Sequence, residues 1–123
     1  MNNHTGRERL ATFAVWLSRH YDREIVRLHP DATAVADWMH HRGQREALRI
    51  LLKLSVSRRF ADLADLVVEI EDRLAEQDKR RETERRVMES DKIDGKRAVY
   101  RHIANELRRR IRRALKRSEQ CEA

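Results

Sequence analysis

Residues that interrupt helices are nearly absent from this sequence, which has three glycines and one proline among 123 residues. Glycine and proline are the residues that most often end helices and form tight turns, so their scarcity favours long helices over sheets. Apolar residues recur at steps of three and four through most of the chain, as amphipathic helices require. We therefore predict an all-α fold, a small bundle of about five helices with a basic C-terminal helix.

Glycine, proline and a run of charged residues divide this pattern into five predicted helices. Their approximate spans are 5–29, 31–42, 44–57, 60–74 and 96–116. Pro30 is expected to end the first helix, and Gly43 the second, because glycine commonly follows a helix C-terminus. The third predicted helix is the most apolar, so we expect it to be the central, most buried element.

The chain length suits one domain, so residues 1–123 are predicted to form a single helical domain. Residues 1–5 and 118–123 are expected to be tails. Residues 75–95 alternate acids and bases with few apolar side chains. This segment is predicted to be a polar extension of the fourth helix, followed by a turn at residues 91–95.

The net charge of +7 is concentrated near the end of the chain. Residues 1–95 contain 18 Lys+Arg and 18 Asp+Glu, whereas residues 96–123 contain 10 Lys+Arg and 3 Asp+Glu. The whole excess therefore belongs to the last predicted helix and its tail. On a helical wheel most of these cations share one broad arc beyond the apolar seam, and Glu106 is expected to interrupt the positive surface.

A dense cationic surface on one helix repels itself, and bound phosphates would relieve that repulsion. We predict that this helix binds the backbone of RNA or single-stranded DNA with little sequence preference. The predicted contact residues are Arg97, Arg101, Arg108, Arg109, Arg112, Arg113 and Lys116. Two alternatives stay open: the helix docks on an acidic protein surface, as in a phage- or plasmid-encoded inhibitor, or it is a solvated face that only favours solubility.

Side chains suited to catalysis or metal binding form no recognisable motif. The single cysteine, Cys121, is near the C-terminus, and the adjacent His40 and His41 would point about 100° apart on a helix. We predict no enzymatic activity, no metal site and no cofactor. A helix-turn-helix around Gly43 is disfavoured, because the helix that follows is too apolar to lie in a DNA groove.

No apolar run approaches the roughly 18 residues that a membrane-spanning helix needs. The polar N-terminus lacks the apolar core of a signal peptide, and one cysteine cannot form an internal disulfide. The expected location is cytoplasmic, without a membrane partner.

In size, helical pattern, basic surface and lack of a catalytic motif, the chain resembles the small subunits of multi-subunit CRISPR effector complexes. The resemblance rests on the character of the whole chain and on no diagnostic motif. It implies a helical bundle that packs against other subunits, including further copies of itself, and presents arginines to a nucleic acid strand. Val15, Trp16 and Val26 lie off the apolar stripe of the first helix and are consistent with such subunit contacts.

Overall fold

The computed structural model describes residues 3–20 and 34–122. Within these two ranges the chain forms four α-helices and no β-strand: α1 (Asn3–His20), α2 (Val35–Ser55), α3 (Leu63–Thr83) and α4 (Val87–Glu122). The predicted all-α class is therefore confirmed, and the predicted number of about five helices is wrong. The later part of the first predicted helix, with Val26 and Pro30, lies outside the described residues.

The predicted helix break at Gly43 does not exist, because the second and third predicted helices are one continuous helix, α2. Gly43 is buried in the interior of α2, where a Cβ atom would overlap the carbonyl oxygen of Lys92 on α4. In the same way, a Cβ at Gly95 of α4 would overlap the carbonyl oxygen of His40 on α2. The two glycines therefore allow two helix backbones to approach closely instead of ending a helix.

The last helix is longer than predicted, with 36 residues in α4. The predicted turn at residues 91–95 lies inside it, and the predicted tail at 118–123 is helical as far as Glu122. At the other end of the chain α1 begins at Asn3, within the predicted tail 1–5. The real interruption in the polar region 75–95 is the short connection 84–86 between α3 and α4.

The core lies between the inward faces of the four helices, and α4 contacts both α2 and α3 most extensively. The largest side chains with almost no exposed surface are Phe13, Leu17, Leu48, Leu51, Leu66, Ile70, Ile93, Val99, Tyr100, Ile103 and Leu107. Five of these belong to α4, so the central element is α4 and not the predicted helix at 44–57. The first helix packs against α2 and α3.

Ion pairs join α3 and α4, and two of the three involve the region 75–95 that was predicted to be a polar helix extension and a turn. The pairs are Arg81–Asp94 at 2.9 Å, Arg97–Asp78 at 2.6 Å and Arg108–Glu71 at 2.8 Å. Their positions advance along α4 as they recede along α3, so the two helices are antiparallel. Each pair is partly exposed and contributes at most about 1 kcal/mol, so apolar contacts remain the main source of stability.

The N-terminus of α3 is fixed by a capping box that also binds α1. The Asp62 carboxylate accepts the backbone N–H of Leu63, and the Asp65 carboxylate accepts the backbone N–H of Asp62. Arg9 of α1 donates Nε and Nη2 to the two oxygens of Asp62, at 3.2 and 2.6 Å. The hydrogen bonds from Arg9, and after them the one from the backbone N–H of Leu63, hold the pKa of Asp62 below its usual value.

Replacing Asp62 by asparagine should remove the ion pair with Arg9 and keep the helix cap, because asparagine caps helices as well as aspartate does. The pKa of Asp62 is lower in the folded chain, so its ion pair stabilises the fold above the unfolded pKa and is lost as the pH falls through the folded one. We expect D62N to unfold about 0.5–1 kcal/mol more easily than the wild type at pH 7. Urea denaturation between pH 7 and pH 2.5 should show this difference becoming smaller as the pH falls; a constant difference would contradict the assignment.

Candidate nucleic-acid interface

The basic segment of α4, which we define as residues 101–117, begins within the core and ends beyond it. Ile103 and Leu107 are fully buried, whereas every residue from Leu115 to Gln120 is exposed. Beyond Arg110, α4 touches the rest of the bundle through one face that includes Ile111. The last turns of the basic segment therefore present most of their circumference to solvent.

Glu106 does not interrupt the positive surface, contrary to the prediction. Its side chain is only 8% exposed, and its two oxygens accept hydrogen bonds from Arg109 and from Arg110. The sequence contains no other acid between residues 98 and 118. The exposed side chains of the basic segment therefore include cations and no carboxylate.

Four of the seven predicted contact residues are exposed and form no ion pair with any residue in the described ranges. They are Arg101, Arg112, Arg113 and Lys116. Arg112 and Lys116 are one helical turn apart on the same face, with Arg101 three turns earlier. We call the surface formed by Arg101, Arg112 and Lys116 the outer face of α4.

The other three predicted contact residues, Arg97, Arg108 and Arg109, are engaged within the fold. Arg97 is 28% exposed and bridges Asp78 and Asp94, and the hydrogen bond to Asp78 is the main reason why its pKa lies above the usual value. Arg108 pairs with Glu71 on α3, and Arg109 with Glu106. A phosphate that bound these three would have to compete with carboxylates already in place.

Two arginines that sequence reasoning left out, Arg110 and Arg117, line a groove together with Arg113. The groove has a volume of about 420 Å³ and runs between the start of α1, the start of α3 and the basic segment. The i, i+3, i+7 spacing of the three arginines places them on one face of α4. That spacing was available in the sequence, but the packing of α1 and its Arg9 beside them was not.

α2 carries a second basic surface, which the even charge balance of residues 1–95 does not indicate. The exposed face of α2 carries Arg42, Arg45, Arg49 and Lys53. α2 has four bases and two acids, whereas α3 has four bases and seven acids, so the balance arises between helices and not within them. Trp38 precedes this row and is 53% exposed.

Trp16 was expected to serve a subunit interface. Its side chain is instead partly buried and packs against the core. Its ring lies 5.9 Å from that of Phe13 and 5.2 Å from that of His20, centroid to centroid. Val15, beside it on α1, is 50% exposed.

In the described part of the chain, no three His, Cys, Asp or Glu side chains are grouped so that they could hold a metal ion. Of the helices described, none has a stretch long and apolar enough to cross a membrane. Comparisons with protein-family models, with curated proteins and with solved structures found no match for this chain.

Proposed function

We propose that this chain is a non-catalytic protein that binds the phosphate backbone of single-stranded RNA or DNA through the outer face of α4. The observation that carries the proposal is the burial of Glu106, which leaves Arg101, Arg112 and Lys116 exposed with no exposed carboxylate between them on α4; the next acid of the helix, Glu119, lies beyond Lys116. Cations that do not hold the fold together are available to a ligand. Phosphates relieve the mutual repulsion of such cations and release counterions as they bind.

The proposed binding has little sequence preference. Base stacking needs exposed aromatic rings, and residues 101–117 include no Phe, Tyr or Trp. Arginine and lysine contacts to phosphate position a strand but do not read its bases. Arg112 and Lys116 are about 6 Å apart along the helix axis and Arg101 lies about 16 Å before Arg112, so the outer face offers a strand three separate phosphate contacts.

The proposed setting is a ribonucleoprotein assembly of the CRISPR effector kind, in which this chain would be a small subunit. This setting stays a prediction, since no comparison or contact tests it. Of the side chains expected to serve subunit contacts, Val15 is exposed and Trp16 is partly buried against the core.

The proposal is tested by titrating the full-length protein against labelled single-stranded DNA, single-stranded RNA and duplex DNA at several salt concentrations. We expect binding to all three, with the logarithm of the affinity falling by about 0.7 per phosphate contact for each tenfold rise in salt on single strands. No binding, or binding that salt does not weaken, would refute the proposal. Polyglutamate serves as the acidic polypeptide control: binding to it alone would reassign the outer face to a protein partner.

Deleting the last helix is not a usable control for this experiment. A chain that ended near Asp94 would lose Val99, Tyr100, Ile103 and Leu107, which are buried in the core. Such a chain is expected to unfold, so that its failure to bind would say nothing about the cations. Substitutions on the outer face remove charge and leave the core intact.

A further inference from the structure

The groove beside the basic segment brings together cations from distant parts of the chain. Its positive side chains are Arg9 from α1 and Arg110, Arg113 and Arg117 from α4. Thr5 and Thr12 add hydroxyl groups, Glu8 adds one carboxylate, and Leu63 and Ala114 complete the lining. Arginine forks and hydroxyl groups are the donors that proteins use for phosphate oxygens.

Arg9 and Arg110 are held in fixed positions by partners outside the groove. Nε of Arg110 donates to Glu106 at 2.8 Å, and its guanidinium lies 5.6 Å from the ring centre of Phe13 and 5.1 Å from that of Trp16. The two terminal nitrogens of Arg110 make no hydrogen bond to the residues described. Arg9 uses Nε and Nη2 on Asp62, which leaves Nη1. Both side chains can therefore donate to a ligand without giving up their own contacts.

The remaining charge in the groove is positive. The cation of Arg9 is balanced by Asp62, and Glu106 is shared between Arg109 and Arg110. Arg113 and Arg117 form no ion pair within residues 3–20 and 34–122 and add two positive charges, of which the Glu8 carboxylate offsets one. Glu106 balances only one of the two arginines that share it, so the groove keeps a net positive charge. A phosphate monoester carries about −1.5 to −2 charges at pH 7 and three strong acceptor oxygens. An internal phosphodiester carries one charge.

We propose that this groove binds a phosphate dianion, and that it receives the phosphate at the end of a nucleic acid strand whose backbone lies on α4. The strand-end assignment rests on the proposed function, whereas the dianion site does not. Arg113 and Arg117 supply positive charge, and Arg110 and Arg9 supply pre-positioned donors. The outer face holds the strand, and the groove distinguishes a phosphorylated end from a hydroxyl end.

The test compares oligonucleotides of one sequence that end in a 5′-phosphate, a 3′-phosphate or hydroxyl groups, measured by fluorescence anisotropy. The wild type is expected to bind one of the phosphorylated strands about tenfold more tightly than the hydroxyl-ended strand, the effect of one charge-assisted hydrogen bond. Arg117→Gln should abolish this preference. Lys116→Gln is the matched control, because it removes one charge from the adjacent position on the outer face; it should weaken all strands alike and keep the preference.

Inorganic phosphate is titrated separately and followed by the NMR signals of the arginine side chains. Saturable binding to the wild type that R117Q weakens supports the dianion site. Equal affinity for all strand ends, with no saturable phosphate binding, would overturn the inference while leaving backbone binding untouched. Phosphate binding without any binding of nucleic acid would overturn the strand-end assignment together with the proposed function, and would identify the source as a small phosphorylated compound.

Discussion

Gly43→Ala is expected to destabilise the fold by about 3 kcal/mol, even though alanine is the better helix former by about 1 kcal/mol. The added methyl group would overlap the carbonyl oxygen of Lys92, a backbone atom that cannot rotate out of the way. To accommodate the methyl group, α2 and α4 would have to move apart, and the buried side chains packed between them would lose contacts. Gly95→Ala should have a similar effect through the carbonyl oxygen of His40.

Urea denaturation of the two variants measures these losses. Lys53→Ala is the matched control, because Lys53 is exposed on the same helix, and its stability should stay within about 0.5 kcal/mol of the wild type. The double variant G43A/G95A should lose less than the sum of the two single losses, since both methyl groups separate the same pair of helices. If G43A proved as stable as the wild type, the close crossing of α2 and α4 would be wrong.

Replacing Arg112 and Lys116 together by glutamate should lower the affinity for a hydroxyl-ended single strand on the order of 100-fold at physiological salt. Each reversal removes an attraction to phosphate and adds a repulsion, and two unit charges about 4 Å apart in water interact by about 1 kcal/mol. Both side chains are exposed, so the fold should remain intact, which circular dichroism can check. The dependence of affinity on salt should become shallower, because fewer counterions are released.

The control for this variant is Lys79→Glu with Arg80→Glu, which changes the net charge by the same amount on exposed positions of α3. Asp78 of α3 pairs with Arg97, and Arg112 lies about 22 Å further along α4. That distance exceeds the Debye length of about 8 Å at physiological salt, so the control should alter the affinity by less than about fivefold. An equal loss in both variants would mean that affinity follows net charge and does not depend on Arg112 and Lys116 in particular.

The helical class could be predicted from the sequence because apolar periodicity and the scarcity of glycine are local signals. The role of Gly43 could not. A glycine inside a polar stretch has the same local pattern whether it ends a helix or admits a neighbouring backbone, and the deciding atom, the Lys92 carbonyl oxygen, is far away in the chain. For the same reason, residues 91–95 were predicted to form a turn although they are helical.

The candidate site was predicted in part, for a related reason. Charge counting located the basic segment, but a helical wheel treats every cation as unpaired. The carboxylates that engage Arg97 and Arg108 belong to α3, and no local pattern indicates that pairing. Glu106 is different, because its spacing of three and four residues from Arg109 and Arg110 does indicate ion pairs on one helix.

Because α4 is unbroken, the directions in which its cations point around the helix axis are linked to one another. The close contact at Gly95 fixes the rotation of α4 about its own axis relative to α2. Because each residue of a helix is rotated by about 100° from the one before it, the direction of every later side chain follows from that contact. A single residue inserted between Leu107 and Arg112 would leave the buried residues in place and would turn Arg112 and Lys116 by about 100° relative to Arg101. Substitutions at exposed positions of α4 therefore leave the direction of the remaining cations unchanged. A change in the length of the helix alters that direction.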